Sequence, residues 1–287
     1  MTKPTLRKLA FGAIASFGTL LAAALPSLAQ AADCPSGLPL SQPGKLVMSI
    51  NATIPPTQYV DKDGKLVGLN VDLGNEIAKR LCLEPVFQNV SFEVQIPGLQ
   101  TKRWDMINTG LYYNEDRVKI MQLVPYQVDA LALIVADGNP LGVKSAEDLA
   151  GKVVGVEIGG FEEKKLREIN DEQVKAGKPA MDIRVFNTYG DTFLALGAGQ
   201  IAAVFAGDSV GKYYQEQGKF TMAVTGLYPG SPGAFATIEP ALAEAVVGAL
   251  NAMLADGTYA KLMDKTGATK IDAWPQWKGT FAYYFKP

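Results

Sequence analysis

Apolar and polar positions alternate in short blocks along most of the chain, and the period changes from block to block. Residues 45–50 (KLVMSI) form a short apolar run that reads as a strand, broken at Pro55-Pro56 and followed by a turn at Asp61-Lys62-Asp63-Gly64. Val71, Gly74, Ile77, Ala78 and Leu81 then fall at three- and four-residue spacing, which predicts an amphipathic helix. Residues 85–90 read as a strand, 92–102 as a helix with Pro97 in its first turns, and 105–109 as a strand. That strand runs into 109–117 (TGLYYNEDR), and an amphipathic run from 118 to 123 after it predicts a strand–loop–helix junction.

The second part of the chain repeats the alternation. Residues 131–136 are apolar throughout and predict a buried strand, followed by a loop at Asp137-Gly138-Asn139-Pro140. Ser145-Ala146-Glu147-Asp148 is a capping-box pattern that opens a short helix ending near Gly151. Strands at 152–157, 183–187, 201–206 and 220–225 are separated by helices at 161–176, at 192–196 and near 210–217. A long helix at 240–254 begins with Pro240, where a missing N–H costs nothing. Strands alternating with helices predict an α/β layered fold with mostly parallel strands. Two such units of similar size, with candidate ligand groups in loops of both, predict a cleft between lobes, beyond the carboxyl ends of the strands.

The first residues change this picture. MTKPTLRK carries three positive charges, residues 9–30 carry none, and Ala29-Gln30-Ala31 is a small-x-small site. This is the layout of a secretory signal peptide cleaved after Ala31. The apolar run is long enough for a membrane anchor, but Pro26 and its many Ala, Gly and Ser residues weaken that reading. A lipid anchor is disfavoured because Asp33 precedes Cys34. Without the leader, 24 basic residues face 29 acidic ones, a net charge of −5, with no basic stripe. Nucleic acid is therefore not an expected partner.

The chain has no histidine, which removes His-based acid–base chemistry, Ser-His-Asp and Cys-His nucleophiles and His metal sites. No cofactor or metal ion is expected. Its two cysteines, Cys34 and Cys82, are a disulfide candidate in an exported protein. Two free thiols, with Cys82 buried as a small apolar residue, are the alternative.

Arg117 closes the TGLYYNEDR stretch. An arginine at such a junction is ordinarily a solvated surface charge; the sharper reading is a planar, permanently charged fork that grips a carboxylate at two points. A family resemblance bears on the choice. Ile54-Pro55-Pro56-Thr57-Gln58-Tyr59, the DGKLVGLNVDL run at 63–73, Ile96-Pro97-Gly98-Leu99, Trp104-Asp105-Met106-Ile107, Glu115-Asp116-Arg117, Val124-Pro125-Tyr126, the SAEDLAGKVVGV run at 145–156 and Asp256-Gly257-Thr258-Tyr259-Ala260 occur in one order and spacing. In that order the sequence resembles the periplasmic solute-binding proteins of ABC importers, in their polar amino-acid-binding branch, over nearly all of 44–267.

The resemblance implies a two-lobe periplasmic binding protein fold of the α/β class, in which two hinge strands join the lobes and the ligand cleft lies between them. Residues 32–127 and 226–287 would form lobe 1, and 128–225 lobe 2. It implies that Arg117 clamps the ligand's α-carboxylate and that Thr109, Gly110 and Tyr112 line the same site. Phe92 stands where relatives line the pocket, and Phe161 is a new aromatic at the start of a lobe-2 helix. Asn51, at the end of the first strand, is a further candidate ligand residue. Gly159 and Gly160, opening that helix, would face the ligand with backbone N–H groups; a plain strand–helix turn is the alternative.

The departures concern the amine. Relatives carry an aromatic residue at Ile54 and an aspartate at Gly207 that binds the α-ammonium. Here the aspartate is one residue late, at Asp208; a one-residue slip in a strand turns a side chain to the other face, but at a strand end the loop could bring Asp208 back, which keeps it a candidate amine ligand. Glu157 is the alternative amine ligand, or a surface strand residue. The expected ligand keeps a carboxylate and is an amino acid, an opine or another N-substituted amino acid. The expected protein is a monomeric periplasmic carrier that hands its ligand to a membrane permease, and not an enzyme. A carboxylate-based dehydratase or hydrolase on the same fold is the rival, although Glu162-Glu163 look like a solvated helix face. A receptor-docking sensor is a second rival. The aromatic tail at 271–287 reads as packing against lobe 1 or as a permease contact.

Overall fold

The structure, a computed structural model, describes Met1, residues 34–266 and residues 268–271. The expected cleavage at Ala31, and the aromatic tail beyond Ile271, lie outside the described residues.

The strands are β1 (Lys45–Ile50), β2 (Thr53–Ile54), β3 (Gln58–Val60), β4 (Leu66–Val67), β5 (Glu84–Asn89), β6 (Met106–Tyr112), β7 (Gln122–Ala136), β8 (Val153–Glu157), β9 (Asp182–Phe186), β10 (Ala203–Gly207) and β11 (Phe220–Thr237). The helices are α1 (Leu69–Arg80), α2 (Gln95–Gln100), α3 (Phe161–Lys175), α4 (Tyr189–Gly197), α5 (Asp208–Glu216), α6 (Pro240–Ala255) and α7 (Thr258–Asp264). Eight strands form one sheet in the order β5-β1-β6-β11-β7-β10-β8-β9, and β2, β3 and β4 form a small second sheet.

At each end of the large sheet the strands are parallel: β5, β1 and β6 at one end, β10, β8 and β9 at the other. Parallel neighbours need crossover helices, and those helices cover both faces. The strand residues show it directly. Leu46 and Met48 pack with α1, α6 and α7 on one face, while Val47 packs with Leu99 and Trp104 on the other. In the second half Ala203 and Phe205 face Leu166 of α3, while Val204 and Ala206 face Phe193 of α4 and Val210 of α5. Side chains alternate across a strand, so a strand covered on both faces reads as continuously apolar.

The two halves are joined by β7 and β11, the longest strands, which pair antiparallel with each other from Gln122↔Thr237 to Ala136↔Phe220. The expected strand at 131–136 is the far end of β7, and the one at 220–225 is the start of β11. Pro125, Gln127 and Asp129 break the apolar run of β7 where it leaves one half for the other, which hid its length. Two further expectations shift. The run after Arg117 is a single 3-10 turn (Arg117–Lys119) and not a helix, because β7 begins at Gln122. Residues 92–102 divide into a 3-10 turn (Phe92–Val94) and the six-residue α2. The capping box forms as read, with Ser145 and Asp148 bonding reciprocally at the start of a 3-10 turn (Ala146–Leu149).

Cys34 and Cys82 are joined in a disulfide with Cα atoms 5.6 Å apart. It ties the segment ahead of β1 to the chain just past the end of α1.

Candidate functional site

Several strands end at one place. Asn51 follows β1, Tyr112 ends β6, Glu157 ends β8 and Gly207 ends β10. The carboxyl ends of strands in an α/β sheet are where ligands bind. A pocket lies there, its empty space about 510 Å³ when counted out into open solvent. It draws its lining from both halves of the sheet: Thr109, Gly110, Tyr112 and Arg117 from one, Glu157, Gly160, Phe161 and Glu162 from the other, and Gln127 and Asp129 from β7 between them.

Arg117 is 7 % exposed. Its Nη1 donates to the carbonyl of Tyr112 at 2.7 Å, and its guanidinium carbon sits 5.5 Å from the centre of the Phe92 ring. Asn114 Oδ1 accepts its backbone N–H, which fixes the turn that turns the side chain inward. Among the described residues it makes no ion pair. Burial pushes its pKa down to about 10, with the charge of Glu162 acting in the opposite sense. A guanidinium held out of water with one carbonyl as partner has bonding capacity left for an anion.

Gly110 has φ +71°, and β6 shifts register against β11 beside it. This is the place for a residue without Cβ, at a bulge that re-aims the strand end. Thr109 is buried, and its hydroxyl oxygen accepts from the Asn51 N–H (3.2 Å) and from Gln58 Nε2 (3.0 Å). Tyr112 lies 5.3 Å ring to ring from Phe161, and its hydroxyl points at Asp129.

Four expectations change in the structure. Asp208 is not in the pocket lining: it opens α5, and its carboxylate accepts the Gly226 N–H at 3.1 Å. Gly207 ends the strand, and the next residue is turned away as the helix starts. Asn51 does not line the pocket either; it stands behind the lining and donates from Nδ2 to Glu157 Oε1 at 2.6 Å. Glu162 is 8 % exposed and lines the pocket, so the Glu162-Glu163 pair is no solvated face. The pair does point apart: Glu162 accepts from the Tyr189 hydroxyl at 2.8 Å, while Glu163 turns back and accepts the Gly159 N–H at 2.7 Å. The N–H of Gly159 is thus taken by the helix's own glutamate, and only Gly160 of the two glycines meets both pocket and helix start.

Sequence reasoning passed over Asp129, Gln127 and Tyr189. Asp129 Oδ2 accepts from Ser209 Oγ at 2.8 Å, and Oδ1 accepts the Ala130 N–H at 2.9 Å. Burial pushes its carboxyl up to about 6, against the hydrogen bond from Ser209. Burial likewise raises Glu157, with Glu162 adding to it, and raises Glu162 itself. The signal for Asp129 was a charged residue inside a run that otherwise pairs as a strand. For Glu162 it was a glutamate directly after an aromatic at a helix start. The pocket therefore carries one guanidinium, two buried glutamates and the half-buried Asp129, which suits a small zwitterionic or cationic guest. Among the described residues no group of three or more Cys, Asp or Glu is placed to hold a metal ion.

The chain is similar in sequence and fold to known proteins. The ABC transporter arginine-binding protein 1 of Escherichia coli K12 is 27% identical over 228 residues, covering 77% of this chain and 90% of the relative. A solved structure of an ancestral arginine-binding protein bound to arginine superposes with a TM-score of 0.70 at 31% identity, covering 77% of this chain and 97% of that one. The ancestral amino acid-binding protein AncCDT-1, a precursor of cyclohexadienyl dehydratase, superposes with a TM-score of 0.69 at 27% identity, covering 77% and 95%. A family model for bacterial extracellular solute-binding proteins, family 3, matches residues 46–268, from the first strand to beyond the last helix. Fold, cleft and sequence match together place the chain in that family: it is a bacterial extracellular solute-binding protein of family 3 and belongs with the amino-acid-binding components of ABC importers.

Proposed function

We propose that this protein captures an amino acid or a close derivative outside the cytoplasmic membrane and delivers it to the permease of an ABC importer. Arg117 takes the ligand's carboxylate in two-point fashion. Thr109, Gly110 and Tyr112 shape the same wall, and Phe92, Ile54 and Phe161 enclose the guest. The observation that carries the reading is the buried guanidinium of Arg117, without an ion-pair partner among the described residues, inside a pocket walled by both halves of the sheet. A desolvated cation without a counterion is costly, and an incoming carboxylate offsets that cost.

The division into lobes belongs to the same proposal. Residues 32–127 with 226–287 form lobe 1 and 128–225 form lobe 2, a reading supported by the crossing strands β7 and β11. Closure of the lobes over the guest creates the shape that the permease reads. The leader is removed after Ala31, and the chain works as a monomer.

The test is a thermal-shift screen of residues 32–287, refolded to remove carried-over ligand, against amino acids, N-substituted amino acids, quaternary amines and plain carboxylic acids. A ligand at 100 times its Kd stabilises by about 2.7 kcal/mol. For a chain of this size that is a rise of roughly 5–10 °C. A silent panel would sink the proposal.

One observation favours a second reading, an enzyme. Glu157 and Glu162 are held toward their protonated forms by burial inside the pocket, and a protonated carboxyl there is what general-acid catalysis uses. The similar AncCDT-1 is itself an amino acid-binding protein, named as a precursor of a dehydratase. Proton NMR of the ligand after overnight incubation separates the two: a carrier returns it unchanged.

A further inference from the structure

The pocket holds a second set of unneutralised groups, across Tyr112 from the guanidinium. The backbone carbonyl of Tyr112 takes Arg117, and its hydroxyl reaches Asp129 Oδ2 at 3.4 Å. Asp129 accepts from a serine hydroxyl and a backbone amide, and no ion pair neutralises it among the described residues. Two positions earlier on the same strand stands Gln127, 7 % exposed and also lining the pocket. Its side-chain carbonyl is buried and has no hydrogen-bond partner among the described residues. Residues two apart on a strand share a face, so Gln127 and Asp129 present their acceptors to the same side. Buried acceptors left unpaired are rare in folded proteins and mark a place where a ligand supplies the missing donor.

Gly207 completes the geometry. A Cβ built on it lies 3.0 Å from Asp129 Oδ2 and 3.1 Å from the Tyr112 hydroxyl. Both distances are tighter than an unstrained contact, so the glycine leaves the space that the carboxylate and the phenol occupy. The absence of a side chain at 207 and the presence of an acid at 129 are one arrangement.

We propose that Asp129, with the Gln127 carbonyl and the Tyr112 hydroxyl, is the ammonium site of this pocket, and that the ligand class is an α-amino acid with a free primary amine. The inference rests on the reading of Arg117 as the carboxylate clamp. A primary ammonium has three N–H donors, and the site offers three acceptors. An N-substituted amine replaces one donor with carbon and leaves an acceptor buried and unpaired. The ordinary amino acid therefore outcompetes the opine-like ligands suggested by Gly207 alone. The amine grip has moved from the end of β10 to the middle of β7.

The experiment is calorimetric titration of the refolded protein, of Asp129→Asn and of Gly207→Ala, with the twenty L-amino acids, their N-methyl forms and their amine-free counterparts. The expected result is tightest binding of one or more primary amino acids. Asp129→Asn weakens that binding about 10-fold to 150-fold, the size of a lost charge-assisted hydrogen bond, and changes the amine-free acid less than about 3-fold. Gly207→Ala keeps every ionisable group and also weakens the amino acid, which guards against misfolding of the first variant. An amino acid bound equally well by wild type and Asp129→Asn overturns the proposal, as does a preference for N-methyl or amine-free ligands. Arg117→Lys, titrated alongside, separates the two readings: a preference for amine-free ligands that this variant abolishes keeps the carboxylate clamp and overturns the ammonium site alone. Silence toward all three sets overturns both readings.

Discussion

Replacing Arg117 by methionine separates what the residue does for the fold from what it does for the ligand. In the free protein its guanidinium is 7 % exposed, makes one hydrogen bond to the Tyr112 carbonyl and lowers its pKa to about 10 through burial. At about 1.36 kcal/mol per pKa unit, a drop of that size from the ordinary arginine value corresponds to roughly 3 kcal/mol. The unfolded chain holds the charge in water and the folded chain holds it in a poorly solvated site. Burial of the cation therefore opposes folding at every pH below about 10, and the opposition fades as pH rises beyond it. Methionine removes this opposition, fills much of the same volume and forfeits a hydrogen bond worth about 1 kcal/mol. The net gain of about 2 kcal/mol raises the Tm of the ligand-free protein by roughly 4–8 °C. With ligand the sign reverses. Removing one partner of a buried charge pair costs about 2–5 kcal/mol, which raises Kd roughly 30-fold to 5000-fold. Calorimetric melting of the free protein and titration with its ligand measure both quantities on one sample. A free protein that melts several degrees lower, with Kd unchanged, would show that Arg117 serves the fold and would refute the reasoning.

Three other outcomes are expected. Gly98 on α2 lies against the indole of Trp104, where an added Cβ meets the ring carbons. Gly98→Ala should cost about 1–3 kcal/mol by overpacking, read as a lower Tm with ligand affinity unchanged. The Cys34–Cys82 bridge closes a loop of sequence separation 48, for which the chain-entropy model gives about 4 kcal/mol. Reduction with dithiothreitol, or Cys82→Ser, should lower the urea midpoint accordingly, and an unchanged midpoint would count against that model here. The carboxyl of Asp129, pushed up to about 6, binds its proton more tightly folded than unfolded. Unfolding free energy should fall as pH rises from about 4 to 6, by up to about 3 kcal/mol from this group, with Glu157 and Glu162 acting in the same sense. Urea titrations across that range should show the slope shallower in Asp129→Asn; an identical slope would remove Asp129 as its source.

The fold was legible where one physical rule set the pattern. Strands covered on both faces, such as β1 and β10, are mostly apolar, and helices between them carry three- and four-residue spacing. The rule failed where a strand changes surroundings midway. The Gln127-Val128-Asp129 stretch is polar because it borders the pocket, so β7 looked shorter than it is. Glu162 was misread for a related reason. A glutamate at the start of a helix usually faces water, and only the third dimension brings Tyr189 to its carboxylate and buries both. Arg117 was legible through motif order and spacing, and the structure places it in the pocket. The displaced acid was legible only as an anomaly at Gly207; its counterpart sits 78 positions earlier in the chain and meets it only across the pairing of β7 with β10.

The pairing of β7 with β11 has a mechanical consequence. Over the same span β11 uses 18 residues and β7 uses 15, and the register slips between Met222 and Val224, Val224 and Leu227, Leu227 and Ser231, and Gly233 and Ala234. The surplus is slack, stored in one of two antiparallel cables. In the proposed closure of the halves, the residues that the register slips leave unpaired in β11 are where that strand can lengthen, and β7, which carries no surplus, is the expected pivot. Gln127 and Asp129 stand on that expected pivot and would move least. The groups from α3 and the end of β8 would travel with the arm. Shortening β11 by one residue between Leu227 and Ser231 would tighten the slack cable and shift the resting angle between the halves without touching a single lining residue.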